Sequence, residues 1–359
     1  MRTSRGGDRQ QQDDHPSILH GDGGEGGDAG GSDAERGQPR QVWVPGPVIV
    51  GAGPSGLATA ACLKARGVPS LVLEKDACVA ASWRRRTYER LRLHLPRGFC
   101  ELPLAAFPPG TPAYPTRDQF VAYLDAYARA FAVEPCLGAR VRSAAYDASI
   151  GFWRVTVDVD GEAAATEFVS RWLVVATGEN AEPAWPEGVE GMEGYRGVAM
   201  HTSSYKRGDE FRGKKVLVVG CGNSGMEVSL DLCNNGAKAS MVVRDKVVPA
   251  INRLTEDGVE FIDGHKEDFD AIIFATGYKS NVPSWLKEEE FFSQVDGFPK
   301  KAFPHSWRGK KGLYAAGFTR KGLMGSSYDA LRIAGDIADQ WTEALASPTA
   351  TNRISDLHA

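Results

Sequence analysis

The chain has 359 residues, with 42 Lys and Arg against 46 Asp and Glu, so that its formal net charge is −4. Eight acidic residues against five arginines lie in the first 40 positions, which leaves the body near neutral and makes nucleic acid an unexpected partner. The six cysteines include no C-x-x-C pair, so the chain lacks the tight dithiol of a disulfide reductase, and no apolar stretch has the length of a membrane span.

The first 40 residues are rich in Gly, Asp, Gln and Arg and contain no apolar run. Such a segment cannot bury enough apolar surface to offset its conformational entropy, so we predict a disordered tail over 1–40 that is not a secretory signal. The tail holds a GxGxxG match, GDGGEG, with no strand-like run before it. Because 41 glycines produce about half of one such match by chance, we interpret this one as fortuitous.

A strand, a glycine-rich turn and a helix are predicted next. The apolar run PVIV leads into Gly51, Gly53 and Gly56, and LATAACLKARG follows as a helix. The first glycine permits a tight turn, the second lets the backbone approach a pyrophosphate, and the third lets helix and strand pack closely. Glu74 ends the following strand, SLVLEK, about 20 residues beyond the glycines, where a carboxylate accepts hydrogen bonds from ribose hydroxyls.

Between the motifs the chain has the pattern of mixed α/β structure. Thr116 and Gln119 form a capping box before an amphipathic helix, whose aromatic residues we interpret as core. Residues 152–170 predict a hairpin that turns at Asp160 and Gly161. Further buried strands, each ending in glycine, are predicted at WLVVATG, DAIIFATGY and GLYAAGF.

The same succession of strand, glycines and helix occurs a second time. KVLVV leads into Gly220, Gly222 and Gly225, and MEVSLDLCNNG follows. At the end of the next strand, ASMVVRDK, the position of the ribose-binding carboxylate is taken by Arg244. A guanidinium there suits a 2′-phosphate and favours NADP over NAD, the alternative being a solvated charge at a strand end. Two different nucleotides are therefore predicted.

These elements predict an α/β fold with two Rossmann-like dinucleotide-binding domains, for FAD and NADPH, the second inserted in the first. The FAD domain is expected to comprise 41–182 plus 300–345, and the NADPH domain 183–299, shortened near 246–247. A flexible C-terminal tail is expected over 346–359.

From about Pro45 to Trp341 the chain resembles the plant YUCCA-type flavin-containing monooxygenases, which are class B flavin monooxygenases. Residues 195–205, YRGVAMHTSSY, match the family fingerprint F-x-G-x-x-x-H-x-x-x-Y/F with Tyr195 in place of the leading Phe. The other motifs that carry the resemblance are GAGPSG, ASWRRRTYERLRLHLPRGFCELP, ATGENAEP, VVGCGNSGMEV, FATGYKSNVP and GLMGSSYDALRIAGDIA.

The resemblance implies an oxidoreductase that uses NADPH to reduce FAD and reacts the reduced flavin with O₂ to form a C4a-peroxyflavin. YUCCA-type members convert indole-3-pyruvate into indole-3-acetate, the hormone auxin, with loss of CO₂. An aromatic 2-oxo acid and O₂ are thus the expected substrates, and the choice between indole-3-pyruvate and phenylpyruvate stays open. The oligomeric state also stays open, and the protein is expected in the cytoplasm or at the endoplasmic reticulum surface.

The motifs and the resemblance assign cofactor contacts by position. Trp83 is expected either near the flavin or in the core, and His94 either against the flavin or in a loop. His201 and Tyr205 are expected to brace the join between the domains, and neither a side-chain general base nor a metal site is assigned. The FAD contacts are expected at Gly51, Gly53, Pro54, Ser55, Gly56, Glu74 and Lys75. The NADPH contacts are expected at Gly220, Cys221, Gly222, Asn223, Ser224, Gly225 and Arg244.

The chain departs from the family pattern after Lys246, where relatives carry several dozen further residues, largely helical. Only the 25 residues 245–269 separate Arg244 from the next buried strand. A parallel crossover alone takes a dozen or more residues, so a meander fits here and further helices over the nicotinamide and substrate side do not. Two alternatives to a coupled monooxygenase follow, an uncoupled NADPH oxidase that releases H₂O₂ and a catalytically silent FAD-binding partner.

Overall fold

The computed structural model describes residues 40–186, 188–243 and 251–346. Most of the predicted N-terminal and C-terminal tails, Arg244 and the Lys246–Val247 junction lie outside the described residues. The helices are α1 (Pro54–Lys64), α2 (Ala81–Arg85), α3 (Arg117–Ala130), α4 (Asn223–Asn234), α5 (Val282–Trp285) and α6 (Leu323–Ala346).

The strands are short and fall into five sheets. They are β1 (Arg40–Val44), β2 (Val48–Val50), β3 (Leu71–Leu73), β4 (Ala139–Asp147), β5 (Phe152–Val159), β6 (Thr166–Ser170), β7 (Leu173–Val175), β8 (Glu182–Pro183), β9 (Val198–His201), β10 (Lys215–Val219), β11 (Lys238–Val242), β12 (Ile251–Leu254), β13 (Gly258–Phe261), β14 (Lys266–Asp268), β15 (Ala271–Phe274), β16 (Tyr278–Lys279), β17 (Leu286–Lys287) and β18 (Leu313–Ala315).

The first glycine motif lies on a four-stranded parallel sheet in the order β18-β7-β2-β3. All three residues of β2 and of β7 are buried, as expected for central strands of a parallel sheet that is covered on both faces. Helices α1 and α6 pack against each other through Leu57, Ala61, Ile333 and Ala334. The N-terminus of α1, at Pro54, directly follows the predicted turn.

The second motif lies on another four-stranded parallel sheet, in the order β11-β10-β15-β9. Val228 and Leu232 of α4 are fully buried against this sheet, together with Val216 and Ile273. Both predicted strand–turn–helix units are thus confirmed, and each helix ends before a glycine with positive φ, Gly67 or Gly236.

A third sheet has five strands in the order β1-β6-β5-β4-β17. In sequence, β4, β5 and β6 lie between β3 and β7 of the first parallel sheet. The predicted hairpin is confirmed, since β5 pairs antiparallel with β6. The predicted capping box is also present, because the Thr116 hydroxyl accepts from the Gln119 N–H at 3.2 Å and the Gln119 side chain accepts from the Thr116 N–H at 2.9 Å. Phe120, Tyr123 and Tyr127 of α3 are buried in the core, as predicted.

The segment between β11 and β15 forms a three-stranded antiparallel meander, β12-β13-β14, which is the structure that its length predicts. From 251 to 270, the described residues contain no helix. The chain passes from the first parallel sheet to the second through β8 and leaves the second sheet through β16. These two strands pair with each other. The domain boundaries stay a prediction. Trp285 and Phe292, which lie within the range predicted for the NADPH domain, pack in one cluster with Val50 of β2. In the described part of the chain, every helix is too short or too polar to cross a bilayer.

Candidate active site

A cavity of about 780 Å³ extends between the two glycine motifs. Gly53 and Ser55 of the first motif line one part of its wall, and Asn223 and Ser224 of the second motif line another. The two predicted nucleotide clefts therefore open into one space. Transfer of a hydride between two bound nucleotides requires such an arrangement, because the reacting atoms must come within contact distance.

The first motif has the geometry of a pyrophosphate cradle. A Cβ atom at Gly51, where φ is +109°, would lie 2.6 Å from the Ala176 carbonyl oxygen, and one at Gly56 would lie 1.9 Å from the Gly51 carbonyl oxygen. These two positions therefore admit no side chain. Gly53, in contrast, has nothing within 4 Å of a built Cβ, so the space above it is open to a ligand.

The second motif repeats this geometry. A Cβ atom at Gly220, where φ is +110°, would lie 2.5 Å from the Ala275 carbonyl oxygen, and one at Gly225 would lie 2.0 Å from the Gly220 carbonyl oxygen. Gly222 again has open space beside it. Neither α1 nor α4 has a side-chain cap at its N-terminus, so the first-turn N–H groups are free to bind phosphate oxygens. Both sites thus fit a dinucleotide.

Glu74 lies at the carboxyl end of β3 and lines the cavity, at the position predicted for a ribose contact. One oxygen accepts from the Ala52 N–H at 2.8 Å and the other from the Asp76 N–H at 3.0 Å. Burial raises the pKa of this carboxyl, and the two N–H donors oppose that shift. The carboxylate therefore also holds the turn of the first motif in place. Lys75 lines the cavity beside it.

Trp83 and His94 both line the cavity. Trp83 also packs edge to face on Phe120, with ring centroids 4.6 Å apart, so the two roles predicted for it are compatible. His94 lies in an exposed loop, where its Nδ1 is 3.0 Å from the Asn223 side-chain amide at the start of α4. This hydrogen bond connects the loop that carries His94 directly to the second motif. Cys221, expected at the NADPH pyrophosphate, is exposed.

The fingerprint residues are tied into the protein by hydrogen bonds. His201 is fully buried, and its Nδ1 accepts from the Ser203 N–H at 3.1 Å. Its Nε2 therefore carries the proton and donates to the Gly277 carbonyl at 2.9 Å, and burial lowers the pKa of the ring. The Tyr205 hydroxyl donates to Asp231 at 2.6 Å, and the Tyr195 hydroxyl to the Phe269 carbonyl at 2.7 Å.

Three residues that were not singled out in advance, Gly317, Ser326 and Asp329, form hydrogen bonds at the start of α6, one of them to Ser55 of the first motif. The Ser55 hydroxyl is hydrogen-bonded to the Ser326 hydroxyl at 2.8 Å. Asp329, which is 1% exposed, accepts from the Gly317 N–H at 3.0 Å, and Gly317 and Ser326 line the cavity. The family resemblance of GLMGSSYDALRIAGDIA was the signal in the sequence that could have found them.

Several buried polar atoms of the cavity wall have no hydrogen-bond partner among the described residues. They include the Tyr88 hydroxyl, the Thr177 hydroxyl and the Asn281 side-chain oxygen. Buried polar atoms are nearly always paired in native proteins. At this place they can form hydrogen bonds with polar groups of a bound ligand.

Comparison with known proteins agrees with this geometry. Residues 48–257 match the pyridine nucleotide-disulphide oxidoreductase family. The indole-3-pyruvate monooxygenase YUCCA1 of Oryza sativa is 48% identical, over 85% of this chain and 94% of the relative. The indole-3-pyruvate monooxygenase YUCCA6 of Arabidopsis thaliana is 46% identical, over 85% and 93% of the two chains.

The alignment with the rice relative spans 387 positions but includes only 85% of the 359 residues here. The relative therefore has residues without a counterpart in this chain.

Two solved structures share the fold. The flavin-containing monooxygenase of Stenotrophomonas maltophilia has a TM-score of 0.71 at 22% identity, over 84% of this chain and 99% of its own. The S-allyl-L-cysteine S-oxygenase of Allium sativum has a TM-score of 0.67 at 20% identity, over 87% and 83%. The predicted fold class and the predicted cofactors, FAD and NADPH, are confirmed by these matches taken together. The chain belongs to the pyridine nucleotide-disulphide oxidoreductase family and, within it, to the YUCCA-type flavin monooxygenases.

Proposed function

We propose that this chain converts indole-3-pyruvate, O₂, NADPH and a proton into indole-3-acetate, CO₂, water and NADP⁺. The observation that carries the proposal is the cavity that both glycine motifs line, with Gly53 and Ser55 at one end and Asn223 and Ser224 at the other. The indole-3-pyruvate monooxygenase activity of relatives that are 46–48% identical supports the choice of substrate.

The residues of this chain bind and orient the two nucleotides. The N-terminus of α1 would hold the FAD pyrophosphate over Gly53, with Glu74 facing its ribose. The N-terminus of α4 would hold the NADPH pyrophosphate over Gly222. When bound, the flavin supplies hydride acceptance from NADPH and the activation of O₂.

Two buried ionisable groups near the cavity, His201 and Glu74, are occupied in structural hydrogen bonds. Both ring nitrogens of His201 and both oxygens of Glu74 have partners. We therefore propose no side-chain general base, and we propose that His201 and Tyr205 brace the join between the domains. The protein's part in the reaction is then to bind, to align and to exclude water.

An absorbance experiment tests the proposal at its first step. The purified protein should show a flavin band, and anaerobic addition of NADPH should bleach it. Aerobic turnover with indole-3-pyruvate should then yield indole-3-acetate in proportion to the NADPH consumed. A protein that stays colourless with added FAD would instead be a silent partner, and bleaching without indole-3-acetate would exclude the proposed product.

A second candidate function is supported by the meander between β11 and β15. The described residues of this segment form three strands and no helix, so they supply little cover to exclude water from the second cleft. On this alternative the enzyme oxidises NADPH and releases H₂O₂. Measuring NADPH, H₂O₂ and indole-3-acetate in one reaction separates the two functions, since tight coupling of NADPH to indole-3-acetate contradicts the second.

A further inference from the structure

We propose that Arg86 binds the carboxylate of the 2-oxo acid and thereby selects acids over neutral aromatic ligands. The inference rests on the proposed function and names the part of the cavity that recognises the substrate. Arg86 lines the cavity, and its guanidinium donates to the Ala181 carbonyl, which fixes the side chain against the segment that leads into β8.

Arg86 is the last of three consecutive arginines, and it differs from the other two in its partners. Arg84 forms an ion pair with Asp125 at 2.5 Å, and Arg85 forms one with Asp76 at 3.2 Å. Within the described ranges, no carboxylate lies in salt-bridge distance of Arg86. A guanidinium that is partly removed from water without an anionic partner is unfavourable, and a substrate carboxylate would offset that cost.

The other cations that line the cavity are placed differently. Lys75 follows Glu74 at the predicted ribose contact. Arg140 and Arg142 both lie on β4, and Arg142 is paired with Asp158 at 2.5 Å. Arg92 is exposed and donates to the Tyr114 carbonyl at 3.3 Å. Arg86, in contrast, contacts the segment that leads into β8, where the chain passes from the first parallel sheet towards the second.

Tyr278, a neighbour of Arg86 in the cavity wall, supplies a further donor for a carboxylate. Burial raises the pKa of the Tyr278 hydroxyl, against the opposing effects of Thr202 and of the positive charge of Arg86. Tyr278 is therefore neutral at physiological pH and can donate a hydrogen bond. The planar guanidinium fork binds a carboxylate through two parallel hydrogen bonds, and such charge-assisted bonds are stronger than neutral ones.

The test compares two ligands of nearly the same shape, the charged indole-3-propionate and its neutral amide, on the FAD-loaded protein by isothermal titration calorimetry. The wild-type protein should bind the acid more tightly than the amide. Arg86→Gln should weaken binding of the acid about 10- to 100-fold and leave binding of the amide unchanged. Arg86→Lys should recover part of the affinity, and Arg92→Gln is the matched control that removes a charge elsewhere in the same cavity.

Equal weakening of acid and amide in Arg86→Gln would overturn the proposal, because it would show that Arg86 only supports the chain at Ala181. So would an acid preference that disappears in Arg92→Gln and persists in Arg86→Gln. The flavin absorbance of each variant shows whether FAD is retained. Formation of indole-3-acetate by the wild type is measured separately, so failure of the proposed reaction is distinguished from failure of this assignment.

Discussion

Replacing Gly53 with alanine should separate folding from FAD binding. Gly53 has φ −78° and ψ −175°, an extended conformation that alanine adopts without strain. A built Cβ atom there meets no protein atom within 4 Å. The variant without FAD should therefore stay within about 1 kcal/mol of the wild type, because the lower entropy of the unfolded chain is opposed by the weaker preference for alanine at the N-cap of α1.

The same substitution should weaken the binding of FAD. The added methyl group of Gly53→Ala enters the space that the pyrophosphate is proposed to occupy. Overpacking of a closely fitted site costs about 1–3 kcal/mol, so the FAD dissociation constant should rise about 5- to 150-fold. Quenching of flavin fluorescence measures this affinity, and thermal unfolding without FAD measures stability. A variant that binds FAD as tightly as the wild type would refute the proposed cradle.

The repeated geometry of the two motifs supplies matched controls. Gly222 has φ −68° and ψ 178° and equally open space, so Gly222→Ala should retain FAD and lose affinity for NADPH. Gly56→Ala should behave unlike both. Its Cβ atom would lie 1.9 Å from the Gly51 carbonyl oxygen, so the protein should unfold at a lower temperature even without FAD.

Variants at three further sites test the supporting structure. Burial raises the pKa of Asp329 from 3.8 to about 7. The folded state then binds the extra proton, and stability falls by at most about 4 kcal/mol as the pH rises through this interval. Asp329→Asn should flatten that fall in urea unfolding of the FAD-free protein at different pH values, and an unchanged profile would contradict the assignment. Tyr205→Phe removes the 2.6 Å bond to Asp231 and should cost about 1–3 kcal/mol in urea unfolding without loss of FAD. Thr116→Ala should cost about 1 kcal/mol, which Thr116→Ser should restore, because the capping box begins α3.

The predictable part of the site is the part that short sequences determine. Gly51, Gly53 and Gly56 lie within six residues of one another, and their roles depend on a turn between adjacent elements. The capping box at Thr116 is equally local. Apolar runs bounded by glycine predicted the buried parallel strands correctly, because a strand covered on both faces requires apolar residues at every position.

Contacts between distant parts of the chain were not predictable in this way. Ser55 and Ser326 are 271 residues apart, and His94 and Asn223 are 129 apart. Neither periodicity nor residue spacing carries information about such pairs, which arise only when the two sheets and their helices pack. Glu74 illustrates the same limit, since its pattern predicts a ribose contact but not the hydrogen bonds that hold Ala52 and Asp76.

The length of the segment between β11 and β15 was the exception, because it predicted a feature of the tertiary structure. The interval before β15 is too short for further helices beside a parallel crossover, and β12, β13 and β14 form the meander that remains. Among the described residues β11 pairs with β10 alone, so this pairing does not involve the shortened segment. The strands that carry the second glycine motif are therefore complete. The geometry of Gly220 and Gly225 is accordingly intact. Any loss of function from the shortening should therefore affect coupling and NADPH affinity before it affects FAD binding.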